Sequence, residues 1–231
     1  MGNGERALVL TGLHNWQAQD VMSAPVATVA HRMPLLDVLK QMKLQRLKRL
    51  PVVDDSGRLA GIVTRSDVLR QIAFADPVLL LAGDVDFDWS VKVGDLELQP
   101  CITVTKETSV AAVIRQMREQ EQKRVVVLDG SGKVAGFVTA DDLLEHASDT
   151  AERAAILHML QTGEQIDERL VQPVARFATS PVMTISAESK AIDAVRLLIQ
   201  NGIKRLPVLD ENGQVIGLIG RDGLLRGILK V

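Results

Sequence analysis

The sequence predicts an α+β protein of three tandem units, each running strand, helix, strand, strand, helix over about 55 residues. Three observations carry this prediction. A basic pair, an apolar strand and an aspartate occur in that order three times, at 48–54, 123–129 and 204–210. A second apolar strand then runs into a helix start, as GIVTRSD (61–67), GFVTADD (136–142) and GLIGRDG (217–223). The register holds at both anchors: Asp54 to Asp129 and Gly61 to Gly136 are each 75 residues, while Asp129 to Asp210 and Gly136 to Gly217 are each 81. Two anchors in one register mark an internal repeat.

Each element has a local reason. Pro25, Pro100 and Pro181 precede the first strand of the three units, a position a sheet tolerates for proline. Residues 26–29 have strand character, with Thr28, Thr103 and Thr184 at one equivalent position. A helix follows. Pro34 suits its first position, and its counterparts are preceded by Thr108 and Ser189, which suit N-caps. Leu35, Val38, Leu39 and Met42 fall at helical spacing; Val110, Val113, Ile114 and Met117 repeat them, as do Ala191, Ala194, Val195 and Leu198. Two strands come next, joined by a polar turn ending in Gly57, Gly132 or Gly213. A short closing helix runs through Val68-Leu69 and Leu143-Leu144.

The units are therefore expected at 17–72, 92–147 and 173–230. An irregular stretch, 74–91, separates the first two. Residues 148–172 are read as a helical connector, on the strength of Ala154, Leu157, Met159, Leu160 and Ile166. Residues 1–16 read either as a short helix on the first unit or as the remnant of a further one.

Composition narrows the function. Of 231 residues, 46% are hydrophobic and 24% charged, as in ordinary globular domains. A net charge of −2 argues against bulk binding of nucleic acid. With two Trp, four Phe and no Tyr there is no aromatic platform for bases. The single Cys101 excludes an internal disulfide and a cysteine-built zinc site. The longest apolar run, 77–82, is far too short to cross a bilayer, and MGNGER lacks a signal-peptide core. The expectation is a cytoplasmic protein with no membrane or nucleic-acid partner. His14, His31, His146 and His158 show no zinc spacing, no phosphate loop of the G-x-x-x-x-G-K-[ST] kind occurs, and adjacent Asp141 and Asp142 would point apart on a helix. No enzyme, metal or catalytic cofactor is expected.

The candidate site lies where the second strand of each hairpin meets its helix. Thr64 and Asp67 are spaced as N-cap and third helical residue, and Thr139 and Asp142 repeat them. One reading is a capping box, contributing about 1 kcal/mol and implying no ligand. The other uses the same geometry for binding. A helix N-terminus favours phosphate, and a carboxylate one turn in can accept from ribose hydroxyls. Lys48-Arg49 and Lys123-Arg124 enter the strand beside it. An isolated pair there would serve as solvated gatekeepers, whereas its recurrence suggests a phosphate clamp.

Asp20-Val21-Met22, the LPVVD strand and the G-x-x-T-x-x-D closing motif, each held in register, resemble the CBS domain, named for the regulatory half of cystathionine β-synthase. The resemblance covers most of 17–230. It implies paired repeats whose sheets pack together and leave two clefts that take an adenosine-containing ligand: AMP, ADP, ATP or S-adenosylmethionine. It assigns Asp67 and Asp142 to ribose, with Thr64 and Thr139 beside them. The basic pairs and Arg65 go to phosphate, and Ala27-Thr28 and Ile102-Thr103 to adenine. It also implies a regulatory role toward an unidentified effector. The alternative is a ligand-free oligomerisation scaffold, since several members bind no known ligand.

Repeat three departs from the pattern. Gly220 stands for the threonine, Gly223 for the aspartate, and Asp222 is one residue out of register, so no ordinary nucleoside site is expected on it. Repeats one and two are expected to form a pseudo-two-fold pair. That leaves Leu206, Val208, Ile216, Leu218, Val195 and Leu198 of repeat three without an internal partner. A homodimer with repeat three at its axis is the expected remedy.

Overall fold

The computed structural model describes residues 16–74, 88–164 and 167–229. The readings made of 1–15, of the apolar run 77–82, of His14 and of Ile166 fall outside the described residues. The chain divides by contacts into two units, Met1–Thr64 and Arg65–Val231.

The first unit begins with a single turn, α1 (Ala18–Val21). A three-stranded sheet follows: β1 (Val29–Ala30), β2 (Arg49–Val53) and β3 (Leu59–Thr64), with β1 parallel and β3 antiparallel to β2. Helix α2 (Leu35–Leu44) connects β1 to β2 and buries Val38, Leu39 and Met42. With Val29 and Leu50 these make a small core.

The second unit opens on α3 (Arg65–Phe74), the closing helix of repeat one. Repeat two comprises β4 (Ile102–Thr105), α4 (Val110–Glu119), β5 (Arg124–Leu128), β6 (Val134–Thr139) and α5 (Ala140–Glu145). A connecting helix, α6 (Thr150–Thr162), follows. Repeat three comprises β7 (Ile185–Ser186), α7 (Ala191–Gln200), β8 (Arg205–Leu209), β9 (Val215–Gly220) and α8 (Arg221–Ile228). Both sheets repeat the order and directions of the first. In every hairpin the aspartate after the second strand accepts backbone N–H bonds from two and four residues on, as Asp129 Oδ1 does from Ser131 and Lys133. The turn glycines then take φ of +77°, +80° and +77° at Gly57, Gly132 and Gly213, where a side chain would strain the backbone.

Repeats two and three are joined by exchange. The segment leading into repeat two, including a 3₁₀ turn at Val93–Asp95, lies on repeat three. Gly94 N–H donates to Ala187 O at 2.8 Å, Ala191 N–H to Val91 O at 2.9 Å, and Gln99 bridges Leu218. The segment leading into repeat three returns the contact. Val174 N–H donates to Thr108 O at 2.8 Å, Val110 N–H to Gln172 O at 3.0 Å, and Thr179 bridges Phe137. Val93, Val174 and Phe177 are thereby buried in the neighbouring repeat, each contributing about 1.5–3 kcal/mol. The approach is close enough to exclude a side chain from the strand beneath. A Cβ on Gly136 would lie 2.7 Å from Ala178 Cβ, and one on Gly217 would lie 2.9 Å from Leu98 Cβ.

Several expectations change. The pseudo-two-fold exchange links repeats two and three, where the sequence put repeats one and two. Leu206, Val208, Leu218, Val195 and Leu198 are therefore buried, and of the surface expected to be left over only Ile216 is exposed. The argument for repeat three at a dimer axis falls with it. The first strand is Val29–Ala30 rather than 26–29. Pro34 precedes α2 rather than opening it, Ser109 replaces Thr108 as the N-cap of α4, and Lys190 occupies the N-cap position of α7. The Thr108 hydroxyl is turned back to Thr105 instead. The connector is not one helix. It ends at Gly163, whose left-handed φ of 86° closes α6, and a separate 3₁₀ turn forms at Glu168–Val171. Among the described residues no helix is long and apolar enough to cross a membrane.

The exchange has an ionic lock. Glu152 on α6 is fully buried. Its carboxylate accepts from Ser148 N–H at 2.5 Å and the Ser148 hydroxyl at 2.7 Å, from the Gln172 amide, and from Arg176 Nη1 at 3.4 Å. Burial pushes its pKa up, but the bonds from Ser148, Gln172 and Arg176 outweigh burial and hold it below the usual range. A carboxyl with a lowered folded-state pKa stabilises the fold above its unfolded pKa of about 4.3. That contribution drains away as pH falls through the folded value. Thermal melts should show Glu152→Ala costing about 2–4 kcal/mol at pH 7, or roughly 5–15 °C. Below about pH 4 the gap between wild type and Glu152→Gln should narrow; a gap independent of pH would contradict the lock.

Candidate functional site

The hairpin register builds the site. In each repeat the arginine of the basic pair sits directly across the ladder from the residue before the closing helix: Arg49 opposite Thr64, Arg124 opposite Thr139, Arg205 opposite Gly220. In repeat two the next residue completes the junction, with Ala140 N–H donating to Lys123 O at 2.9 Å. Basic pair and helix start are thus tied by the backbone, as the sequence led one to expect.

At that junction the Thr139–Asp142 pair forms a full capping box. Asp142 N–H donates to Thr139 Oγ1 at 3.2 Å, while Asp142 Oδ2 accepts from Thr139 N–H at 2.7 Å and from the Thr139 hydroxyl at 2.8 Å. Both side chains are half-buried. In repeat one Thr64 closes β3, and Asp67 stands in the first turn of α3, 3.5 Å from Arg70. Lys48 and Arg49 are exposed at the start of β2. Ala27 is half-buried and Thr28 exposed ahead of β1. Ile102 belongs to the core of repeat two, so only its backbone and the exposed Thr103 remain available to a ligand.

Arg65 has another partner. Its guanidinium pairs with Asp222 at 2.9 Å, and Arg221 donates to the Ser66 hydroxyl at 2.7 Å. Arg65 and Arg221 are equivalent in the repeat, as are Ser66 and Asp222, so two helix starts, α3 and α8, hold each other by matching contacts. The out-of-register Asp222 finds its role here.

The structure assembles one feature that the sequence did not announce. Gln99, Pro100, Gln122, Leu218, the carboxylate residue Glu121 and the basic residues Lys123, Arg124 and Arg205 line a cleft of about 440 Å³ between repeats two and three. Arg124 and Arg205 are equivalent residues brought face to face by the exchange. Among the described residues neither forms an ion pair. Burial, then the nearby Arg205, holds the Arg124 guanidinium below its usual pKa range; burial lowers Arg205 too, offset in part by Asp222. Arg205 Nε donates to Gln99 Oε1 at 3.1 Å, and its stem crosses Gly220, where a Cβ would lie 3.3 Å from Arg205 Cγ. The glycine that removes repeat three's threonine thus makes room for the arginine. Thr139 and Asp142 do not line this cleft; they adjoin it through the Arg124–Thr139 pairing.

Comparison with known proteins identifies the repeats. The CBS domain matches residues 18–74, 93–162 and 174–230. The chain belongs to the CBS domain family. Its three CBS repeats share 24% identity over 195 residues with protein MJ1404 of Methanocaldococcus jannaschii, a match spanning 84% of this chain but only 43% of that protein. The 5'-AMP-activated protein kinase subunit gamma of Saccharomyces cerevisiae is 24% identical over 119 residues, covering 49% of this chain and 34% of that one. A conserved Pyrococcus horikoshii protein of known crystal structure superposes with a TM-score of 0.60 at 21% identity, over 90% of this chain and 81% of that one. That likeness concerns the fold alone.

Two facing guanidiniums with no direct ion pair among the described residues repel each other, an effect that Asp222 offsets only in part at Arg205. Replacing Arg205 of the third CBS repeat by Met should therefore leave the ligand-free protein as stable, or more stable by up to about 1 kcal/mol at low salt. Salt should erase the difference. Melting curves at low and high NaCl check this; a loss of several degrees in Arg205→Met at low salt would show that the pair is not under repulsion.

Proposed function

We propose that the chain is a regulatory, non-catalytic module that senses an adenosine-containing nucleotide carrying phosphate, of the AMP, ADP or ATP class. The cleft with Arg124 and Arg205 carries this reading. Two partly desolvated, unpaired guanidiniums form a site for an anion with several oxygens. They would repel the sulfonium of S-adenosylmethionine. The relationship to an AMP-activated kinase gamma subunit supports the same ligand class. In this reading Lys123, Arg124 and Arg205 hold phosphate, Asp142 accepts from ribose, and the backbone at Ile102-Thr103 receives adenine. By the repeat register Lys48, Arg49, Ala27, Thr28 and Thr64 hold the corresponding positions in repeat one. The repeats so used are 17–72, 92–147 and 173–230, with 148–172 connecting them. A cytoplasmic setting and a separate effector protein complete the proposal.

The scaffold reading has its own support, because the Thr139–Asp142 box already satisfies its donors without any ligand. Calorimetry and thermal shift with AMP, ADP, ATP, S-adenosylmethionine and adenosine separate the two. A nucleotide at 100 times its Kd should add about 2.7 kcal/mol of stability, a rise of roughly 5–10 °C. Arg124→Met and Arg205→Met should each weaken the nucleotide at least about tenfold and leave adenosine unchanged. No shift with any of the five at millimolar concentration would leave the scaffold.

A second measurement isolates the carboxylate. Asp142→Asn keeps an acceptor but loses the charge, and should weaken nucleotide binding by about 1–3 kcal/mol if Asp142 grips ribose. Equal affinities would restrict Asp142 to capping.

A further inference from the structure

Among the described residues that line the cleft of repeats two and three, Glu121 is the one carboxylate. It sits in the turn that joins α4 to β5. Glu121 N–H donates to Arg118 O at 3.2 Å and Gln122 N–H to Met117 O at 2.8 Å, which holds Glu121 two residues ahead of Lys123. The repeat offsets of 75 and 81 make Arg46 and Gly202 its counterparts. All three backbones are left-handed, with φ of +55°, +52° and +65° at Arg46, Glu121 and Gly202. The conformation therefore comes with the turn, and glycine meets it with least strain. Only the charge differs: positive in repeat one, negative in repeat two, none in repeat three. A Cβ on Gly202 would meet nothing within 4 Å, so the fold does not select the side chain at this position by space. Packing gives no reason for a carboxylate at Glu121.

The cleft gives one. Glu121 is exposed, and among the described residues it forms no ion pair. Lys123, Arg124 and Arg205 bring +3 to the cleft and Glu121 brings −1, a net of +2. A phosphate monoester carries about −1.5 to −2 at pH 7, which that charge matches. A longer phosphate chain carries more than the cleft neutralises, and a carboxylate at its wall opposes the surplus by like-charge repulsion.

We infer that Glu121 is a specificity determinant, which sets this cleft for a nucleoside monophosphate and against the di- and triphosphate. The inference rests on the nucleotide reading of the cleft and narrows it. Lys123 and the two arginines draw phosphate in, and Glu121 limits how much charge accompanies it. Because Glu121 is exposed, the discrimination weakens as salt screens it. Every residue involved belongs to the second unit.

Calorimetry on the full chain at low salt, without added magnesium, tests this with AMP, ATP, inorganic phosphate and tripolyphosphate. The wild type should bind AMP more tightly than ATP. Glu121→Gln should tighten ATP and tripolyphosphate about tenfold while changing AMP and phosphate by less than about threefold. Glu121→Gly, which places repeat three's own residue in the turn, should do the same and stands in if Glu121→Gln fails to fold. A wild type that prefers ATP, or variants that tighten AMP and ATP equally, would overturn the inference and leave nucleotide sensing intact. If neither nucleotide binds but both variants tighten tripolyphosphate over phosphate, the charge filter stands and the nucleotide reading falls. Absence of binding by all four anions would overturn both.

Discussion

The second unit depends on one constraint: each lead-in segment must lie on the neighbour's sheet, not its own. A repeat of this size, with a three-stranded sheet and two helices, has too little interior to be stable alone. Its hydrophobic face is closed only when Phe177 or Val93 arrives from the other repeat. The close approach at Gly136 and Gly217 lets backbone meet backbone there, so that hydrogen bonds at Phe137–Thr179 and Gln99–Leu218 add to the apolar burial. Packing and polar pairing thus fall on the same few residues.

The candidate site follows from that exchange. It brings equivalent ends of two hairpins together, so whatever residue begins the second strand meets its own counterpart. In this chain that residue is an arginine in both repeats, and the result is a doubled positive charge in a partly dry cleft. The fold tolerates the repulsion because each guanidinium keeps some access to solvent, while Gln99 takes a hydrogen bond from Arg205. The lost threonine and aspartate of repeat three then read differently. Gly220 gives Arg205 its path, Gly223 stands against Ile219, and Asp222 is engaged by Arg65. Repeat three lacks that threonine and aspartate and contributes Arg205 to its neighbour's cleft and Asp222 to a helix contact.

Glu152 shows how the connector serves the same arrangement. A buried carboxylate costs several kcal/mol unless fully bonded. Here its partners come from the turn before α6 and from Gln172 and Arg176 in the lead-in segment of repeat three. The bonding therefore fixes where that segment starts its run across repeat two.

The sequence by itself determined the units. A repeated register, helical spacing in α2, α4 and α7, and turn chemistry at Asp54, Asp129 and Asp210 are local properties, and local hydrogen bonding enforces them. The closeness of Arg124 to Thr139 was legible for the same reason, since a hairpin register follows from its turn. Only the tertiary structure decided which repeats pair. Three near-equivalent units offer more than one pairing, and periodicity is blind to the choice. The deciding interactions, Phe177 in the core of repeat two and Ala178 over Gly136, join residues about 40 apart in sequence whose types alone are ordinary. The facing of Arg124 and Arg205 descends from that choice, which is set by contact between surfaces rather than by any local pattern.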